Sequence, residues 1–305
     1  MTSIIFPGQG SQSINMAKDF HDNFKRAREI FEKIEDYTKI QIRKIIFENK
    51  DNKLDLTQFT QICIFSASYV IFKTYVEEVN LNLKEINVMM GHSLGEYTAL
   101  VCCNKINLED CSLLLKKRGE LMNNAVEPNK TGMAALIGKD CDFIQKIIED
   151  NKLELEIAND NSPIQIVISG NKNEIINSKD IFIKNNVKKF INLNVSAAFH
   201  STFMNKAQQE LNKEIEKTNF KDNEIKIISN YDGKVYTNSN LIKDNLKKQM
   251  ANKVNWTQSI KNLEEIGEKK IIEIGPNKVL SGLISRISKN FDIITINQVS
   301  DLYEQ

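Results

Sequence analysis

The chain has 305 residues, of which 41% are apolar, enough for one large domain or for a core with a smaller companion. Its 41 basic and 40 acidic residues leave a net charge of +1, so the basic excess of a typical nucleic-acid-binding protein is absent. The five cysteines lack paired metal-ligand spacing and are expected to be mostly buried thiols in a reducing compartment.

The N-terminal stretch MTSIIFPGQGSQ lacks the basic region and the long apolar region of a signal peptide. No apolar run approaches the roughly 20 residues that a membrane helix needs. We therefore expect a cytoplasmic protein that has neither a membrane nor a nucleic acid as its partner.

Strands and helices alternate in the first third of the chain. The run SIIF (residues 3–6) predicts a buried strand that ends at Pro7, and a helical region follows around residues 16–34. Residues 57–78 are too long an apolar run for a strand and predict a mostly buried helix. INVMM (residues 86–90) predicts a short strand, and the GEYTALVCC segment after it has helix-forming composition.

A candidate nucleophile lies between that strand and that helix. Residues 91–95 read G-H-S-L-G, the G-x-S-x-G pattern of a nucleophile elbow, and the strand and helix on either side are the context that this pattern requires. The turn would expose the hydroxyl of Ser93, and the first N–H groups of the helix could stabilise an oxyanion. A serine hydroxyl needs a base within hydrogen-bond reach before it can attack.

The chain offers three histidines as that base. His92 adjoins Ser93 in a tight turn, where neighbouring side chains diverge, and His21 lies in a polar helical stretch. His200 follows an apolar, strand-like run at a place where an active-site loop could begin. We therefore predict His200 as the partner of Ser93.

An arginine lies on an apolar helix face further along. Residues 108–122 have helical periodicity, with one apolar face formed by Leu108, Cys111, Leu115 and Met122, and Arg118 falls on the same stripe. An inward arginine costs several kcal/mol, in order of magnitude, unless an anion meets it. Two readings stay open from the spacing: a snorkelling side chain or one with an internal acidic partner, and a site for a substrate carboxylate.

The pattern of predicted strands and helices changes near residues 127–129, which indicates an inserted unit. Residues 126–194 alternate as strand, helix, two strands, helix and strand, which is the ferredoxin-like order. The sequence after residue 194 again has the alternating strand and helix pattern of an α/β fold, and we expect KIIEIGP (residues 270–276) to rejoin the core sheet. The prediction is an α/β core of residues 1–125 and 195–305 with a small subdomain of residues 126–194.

Six segments occur in an order that resembles one known family. FPGQGSQ, GHSLGEYTAL, RGELM, NDNSPIQIVISG, VSAAFHSTFM and EIGPNKVL together are similar to the malonyl-CoA:acyl-carrier-protein transacylases, the acyltransferases of fatty acid synthesis. The resemblance runs from Phe6 to about Leu283, which is nearly the whole chain. It implies an α/β-hydrolase-like core with a parallel sheet and a nucleophile elbow.

The resemblance also implies roles for individual residues. Ser93 matches the nucleophile, His200 the general base, and Arg118 the arginine that pairs with the malonyl carboxylate. The remaining matches are two oxyanion-hole amides, a backbone carbonyl that orients the histidine, and residues that border the substrate: Gln9 and Leu94, Gln249, and Asn159, Asn161 and Phe199. Departures from the family pattern occur at residues 102–104, at Ile164 and at Asn277, where small residues or glycine are usual.

The implied reaction moves a malonyl group from malonyl-CoA to the phosphopantetheine thiol of acyl carrier protein through a malonyl-serine ester. We expect no cofactor and no metal, a monomer, and an acidic carrier protein as the partner, with the lysine pairs at 116–117, 188–189 and 247–248 as candidate landing sites. Two alternatives stay open: a serine hydrolase such as a thioesterase, and a non-catalytic carrier-binding protein.

Overall fold

Two β-sheets organise the fold in the computed structural model, which describes residues 1–303. The strands are β1 (Thr2–Phe6), β2 (Ile86–Gly91), β3 (Thr131–Ile137), β4 (Leu155–Ser162), β5 (Gln165–Asn171), β6 (Lys189–Asn192), β7 (Lys226–Ile228), β8 (Val235–Tyr236), β9 (Lys270–Ile274) and β10 (Asp292–Ile296). The helices are α1 (Lys18–Asn23), α2 (Lys25–Thr38), α3 (Ile42–Glu48), α4 (Thr57–Glu78), α5 (Leu94–Cys102), α6 (Leu108–Asn123), α7 (Cys141–Asp150), α8 (Lys172–Lys184), α9 (Asn205–Lys217), α10 (Ser239–Gln249), α11 (Trp256–Glu265) and α12 (Val279–Ile287).

The larger sheet has six strands in the order β10-β9-β1-β2-β7-β8. All neighbouring pairs are parallel except β7 with β8, which are antiparallel. Parallel strands need helical crossovers, which cover both faces of such a sheet. The α/β class and the parallel core expected from the sequence are confirmed.

The strands of this sheet divide their side chains between two hydrophobic layers. Ile4, Phe6 and Met89 pack on one face against α2, α4, α5 and α6. Ile5 and Val88 point to the other face, where they meet α11 and α12. This alternation follows from the two-residue period of a strand. Continuous apolar runs in β1 and β2 are therefore the sequence of strands buried on both sides.

Helix α4 crosses the centre of the larger layer. It is the one helix among residues 1–303 that is long and apolar enough to cross a membrane, by length and composition only. Within the fold, 78% of its most apolar window is buried. A helix that is apolar on every side belongs inside a core when other helices surround it. The expectation of a mostly buried helix is confirmed.

The smaller sheet has four antiparallel strands in the order β4-β5-β3-β6. That order is the ferredoxin-like one, and α7 and α8 pack on one face through isoleucine side chains and Phe182. These elements all lie inside residues 126–194. A short parallel bridge joins the sheet to the core, because the amide of Asp160 donates to the carbonyl of Val254 (3.0 Å) and the amide of Val254 donates to the carbonyl of Ala158 (2.9 Å).

The carboxyl ends of β1, β2 and β7 meet at one edge of the larger sheet. Ligands of open α/β sheets bind outside this edge, where loops from several strands converge. The bridge between Asn159 and Val254 brings the smaller sheet to the same place. The fold therefore positions a cleft between the two sheets.

Candidate active site

Ser93 occupies the turn between β2 and α5 with unusual backbone angles. Its φ is 54° and its ψ is −107°, a conformation that costs energy in a residue other than glycine. The flanking glycines allow this close turn: a Cβ on Gly91 would lie 2.1 Å from the backbone of Gly95, and one on Gly95 would lie 2.2 Å from the carbonyl oxygen of Phe6. The structure therefore has the strand, the turn and the helix of a nucleophile elbow.

His200 lies beside Ser93, although 107 residues separate the two in the chain. Its Nε2 is 2.8 Å from the Oγ of Ser93. Its Nδ1 is 3.0 Å from the backbone oxygen of Gln249 and 3.2 Å from that of Asn252. Carbonyl oxygens only accept hydrogen bonds, so Nδ1 carries the proton and Nε2 presents its lone pair to the serine hydroxyl.

The protonation of His200 is set by its surroundings. Burial, followed by the positive charge of Arg118, lowers the pKa of His200 to about 3. The imidazole is therefore neutral at physiological pH and can take a proton from Ser93. Within the described residues its Nδ1 meets carbonyls and no carboxylate, so the pair is a dyad.

Arg118 is 1% exposed, and its guanidinium reaches the nucleophile. Its nitrogens donate to the Oε1 of Gln61 (2.5 Å), the Oε1 of Gln249 (2.9 Å) and the Oγ of Ser93 (3.0 Å). The guanidinium also lies 5.3 Å from the ring centre of Tyr97. Snorkelling is excluded by this burial, and no Asp or Glu among residues 1–303 forms an ion pair with Arg118.

Neutral acceptors around a buried cation leave its charge available to an anion. Burial lowers the pKa of Arg118, yet an arginine stays protonated in proteins at physiological pH. A carboxylate that enters this site would meet a guanidinium without an ionic partner in a buried environment, where electrostatic attraction is strong. Of the two readings left open by the sequence, the geometry fits a carboxylate site.

The side chain of Gln249 connects the site in a way that the sequence did not indicate. Its Nε2 donates to the backbone oxygen of Ser93 (2.8 Å) and to the Oε2 of Glu96 (2.8 Å), while its Oε1 accepts from Arg118. The backbone oxygen of the same residue holds His200. One residue at the end of α10 therefore contacts Ser93, His200 and Arg118.

Asn230 holds the other side of the Ser93 peptide. Its Oδ1 accepts from the amide of Ser93 (2.6 Å), and its Nδ2 donates to the carbonyl of Gly91 (2.7 Å). Glu96, Gln61 and Asn230 were not predicted from the sequence. The available signal was positional, because Asn230 follows β7 at the carboxyl edge of the sheet and Glu96 lies in the first turn of the elbow helix.

A cavity of about 100 Å³ opens beside these groups. It has the size of a small acyl group, and it combines polar atoms with apolar side chains. Its lining includes both predicted oxyanion residues, Gln9 and Leu94, together with Phe199 and Asn159. Leu94 begins α5, so its N–H belongs to the first turn, whose amides have no partner within the helix.

Asn161 lies apart from this cavity. It lines a neighbouring one of about 390 Å³, where its Oδ1 is 2.8 Å from the Nε2 of His92. The two cavities share Gln9, His92 and Asn159, so the larger one leads to the smaller. The side chain of His92 thus points to Asn161, while the hydroxyl of Ser93 faces His200.

The profile of the acyl transferase domain family matches residues 4–299. The chain is 33% identical to the malonyl CoA-acyl carrier protein transacylase of Bacillus subtilis over 299 residues, which cover 97% of this chain and 93% of the relative. It is also similar to the solved acyl carrier protein S-malonyltransferase of Vibrio cholerae, with 32% identity, a TM-score of 0.93 and coverage of 99% and 98% of the two chains.

A third similar structure contains two proteins. It shows a malonyl-transacylase in complex with its type II PKS acyl-carrier protein, and the transacylase chain is 29% identical to this one with a TM-score of 0.93. The match covers 99% of this chain and 97% of that one.

Proposed function

We propose that this chain, which belongs to the acyl transferase family by its match over residues 4–299, transfers the malonyl group of malonyl-CoA to the phosphopantetheine thiol of acyl carrier protein. The observation that carries this conclusion is the contact of one hydroxyl with two groups: Ser93 Oγ is 2.8 Å from the Nε2 of His200 and 3.0 Å from the guanidinium of Arg118.

The first half of the reaction forms an ester on Ser93. His200 Nε2 takes the hydroxyl proton as Ser93 Oγ attacks the thioester carbonyl carbon of malonyl-CoA. The backbone N–H groups of Gln9 and Leu94 stabilise the oxyanion, and loss of one such donor typically costs about 3 kcal/mol of transition-state stabilisation. The C–S bond then breaks, and the proton on His200 passes to the departing CoA sulfur.

Arg118 selects an acyl group that carries a free carboxylate. The free carboxylate of the malonyl group would accept hydrogen bonds from the guanidinium, whose existing partners are neutral amides and a hydroxyl. An acetyl group would fill part of the cavity and leave the buried cation without an anion. Such an unpaired buried group is the usual basis of strong discrimination by enzymes.

The second half of the reaction transfers the acyl group to the carrier. The phosphopantetheine thiol gives its proton to His200, and its sulfur attacks the carbonyl carbon of the malonyl-serine ester. When the C–O bond breaks, the proton returns to Ser93 and the thioester leaves on the carrier. We infer that the carrier serves fatty acid synthesis and that its acidic surface contacts the lysines of this chain.

The lysine pairs differ in how freely they could serve such a partner. Lys247 already pairs with Glu216 (2.7 Å) and Asp244 (3.2 Å), and Lys116 donates to the carbonyl of Thr38 (2.9 Å). The pair at residues 188–189 is exposed at the edge of the smaller sheet, beside β6. We therefore favour that pair as the contact for the carrier.

The same proposal includes a monomeric, cytoplasmic enzyme. The five cysteines are free thiols and four of them are buried, which suits a reducing compartment.

The test is a comparison of two products. The protein is mixed with malonyl-CoA and a phosphopantetheine-bearing carrier, and malonyl-carrier and free malonate are both measured. Transfer to the carrier is expected to far exceed release of malonate, and Ser93→Ala is expected to abolish it. Release of malonate at a matching rate would indicate a hydrolase, and unchanged transfer by the Ser93→Ala protein would exclude the enzyme proposed here.

A further inference from the structure

A single buried carboxylate oxygen lies behind both amide side chains that hold the Ser93 peptide. The Oε2 of Glu96 accepts from the Nε2 of Gln249 (2.8 Å) and from the backbone amide of Asn230 (3.1 Å). Glu96 is 0% exposed and follows the elbow by one helical turn. It touches neither Ser93 Oγ nor the cavity, so it is no candidate for a catalytic group.

We propose that Glu96 is a positioning residue, whose Oε2 fixes Gln249 and Asn230 and through them the strained Ser93 turn and the Arg118 guanidinium. This inference rests on the malonyl transfer proposed above and adds to it a residue that determines specificity.

The orientation of the Gln249 amide is the first link. An amide can be rotated by half a turn, which exchanges its donor and its acceptor. Glu96 Oε2 and the carbonyl oxygen of Ser93 both accept, so they require Nε2 on their side and leave Oε1 facing Arg118. Without the acceptor at Glu96, the amide loses one of the two acceptors that oppose rotation, and a rotated amide would present a donor to the guanidinium.

The turn at Ser93 is the second link. Its N–H is held by the Oδ1 of Asn230 and its carbonyl by the Nε2 of Gln249, so both sides of a backbone conformation at φ 54° are restrained. Conformations of this kind persist only where the surroundings impose them. Because Glu96 holds the backbone of Asn230 as well as Gln249, it supports both restraints at once.

The other oxygen of Glu96 shows which protonation states are compatible with this role. Oε1 is buried and has no hydrogen-bond partner, so a proton on it would leave the two bonds to Oε2 in place. Burial raises the pKa of Glu96 to about 7, against the lowering effect of its bonds from Gln249 and Asn230. The ionised form is the stronger acceptor and holds the Gln249 side chain and the Asn230 backbone more firmly.

Few ionisable groups face Glu96. Arg118 on α6 favours its charged form, and Asp232, in the turn between β7 and β8, disfavours it. Tyr97 is the next residue of α5, and burial raises its pKa. His200 lies beyond Gln249 and stays neutral across the physiological range.

The test uses a pair of variants of similar size. Glu96→Gln can place its carbonyl oxygen at the Oε2 position and keep both bonds, whereas Glu96→Met fills the same space without an acceptor. Initial rates of Ser93 acylation by malonyl-CoA and by acetyl-CoA are measured on folded protein by intact mass. Glu96→Gln is expected to keep the malonyl preference within about threefold, and Glu96→Met is expected to lose it at least tenfold.

Glu268→Gln is the matched control for loss of a buried carboxylate. Glu268 is also 0% exposed, and it accepts from Ser3 and Asn87 at the opposite end of the larger sheet. This variant is expected to retain wild-type rates with both thioesters. Absence of a malonyl adduct on the wild-type protein would overturn the proposed function, whereas a wild-type preference in folded Glu96→Met protein would overturn only the role of Glu96.

A pH profile decides the matter if Glu96→Met does not fold. Between pH 6 and pH 8 the malonyl acylation rate of the wild type is expected to rise by up to about threefold as Glu96 ionises and becomes the stronger acceptor, and the rate of Glu96→Gln is expected to lack this step. Comparing the two proteins cancels the titration of the thioester substrate itself. The same step in both profiles would refute the positioning role.

Discussion

The two nitrogens of His200 face different kinds of partner, and this difference assigns their roles. Two backbone carbonyls fix the proton on Nδ1, so the imidazole needs no acidic residue to select its tautomer. Burial beside Arg118 keeps the ring neutral. This arrangement has a cost in stability at low pH, because the unfolded chain binds a proton there on His200 and the folded chain does not.

That cost is measurable as a pH dependence of stability. Below the ordinary histidine pKa of 6.5 the unfolded state protonates, while folded His200 stays neutral down to about pH 3. The free energy of unfolding therefore falls as the pH decreases through this window, by about 2 kcal/mol at pH 5 from this group. Urea unfolding at pH 7 and pH 5 checks this, and His200→Gln is expected to show the smaller decrease.

Ser93→Ala is the matched control for that experiment. It removes the hydroxyl but leaves His200 buried with its two carbonyl partners, so it is expected to keep the wild-type decrease in stability. An identical pH dependence in His200→Gln and wild-type protein would contradict the assignment of the lowered pKa to this histidine.

Arg118 should determine which acyl group reacts. Arg118→Ala removes the cation in contact with Ser93 Oγ, and a malonyl carboxylate would then enter the cavity without an ionic partner. Loss of one partner of a buried charge pair costs about 3 kcal/mol, so malonyl acylation should fall roughly a hundredfold or more while acetyl acylation falls much less. Rates with the two thioesters provide the measurement.

Arg26→Ala is the control, since Arg26 pairs with Glu29 and Glu77 on the outer face of α2. It should leave both rates unchanged. Equal losses with malonyl and acetyl groups in Arg118→Ala would show that the arginine does not bind the carboxylate.

Single residues differ in how well the sequence indicated them. Ser93 lies in a local motif, and His200 could be selected because only three histidines exist. Gln61, Glu96 and Asn230 carry no local pattern, because their meaning depends on contacts across 57, 153 and 137 positions. Asn277 stands where glycine is usual, and its φ of 63° lies in the left-handed region that asparagine tolerates.

At the scale of elements, the elbow depends on how closely α5 approaches β1. Gly95 has no room for a side chain, because a Cβ there would lie 2.2 Å from the carbonyl oxygen of Phe6 and 3.0 Å from that of Pro7. Both neighbours are backbone atoms of the strand and the loop that carry Gln9. A displaced α5 would therefore move Ser93 and Leu94 together.

Gly95→Ala is expected to destabilise the fold by about 2 kcal/mol, an overpacking cost, and to abolish acylation of Ser93 in whatever protein folds. Thermal unfolding and intact mass with malonyl-CoA provide the two measurements. Gly282→Ala is the matched control, since Gly282 lies inside α12 with no atom within 4 Å of the added Cβ. It is expected to stabilise the protein by up to about 1 kcal/mol, and wild-type acylation in Gly95→Ala would contradict the close-packing argument.

The elements themselves were the most predictable level. Apolar runs predicted β1, β2 and α4 because strands buried on both faces and a helix buried all round need continuous hydrophobic sequence. The pairing order of the larger sheet was not predicted, since β9 and β10 return beside β1 from the far end of the chain. Such long-range pairings leave no trace in local periodicity.

At the scale of the whole molecule, the site belongs to neither sheet alone. Ser93 and Leu94 come from the core, while Met133 and Asn159 come from the smaller sheet, and all four line the same cavity. The bridge between Asn159 and Val254 holds the two parts together within five residues of Gln249. The fold thus couples the position of the smaller sheet to the residue that holds His200 and Arg118.

The central claim is that Ser93 carries the malonyl group between two thiols. The most direct measurement is peptide mapping by mass spectrometry after incubation with malonyl-CoA, followed by addition of a phosphopantetheine-bearing carrier protein. The account predicts one malonyl group on the peptide that contains Ser93, lost on addition of the carrier as malonyl-carrier accumulates in equal amount. A malonyl group on another residue, or an adduct on Ser93 that the carrier cannot remove, would contradict it.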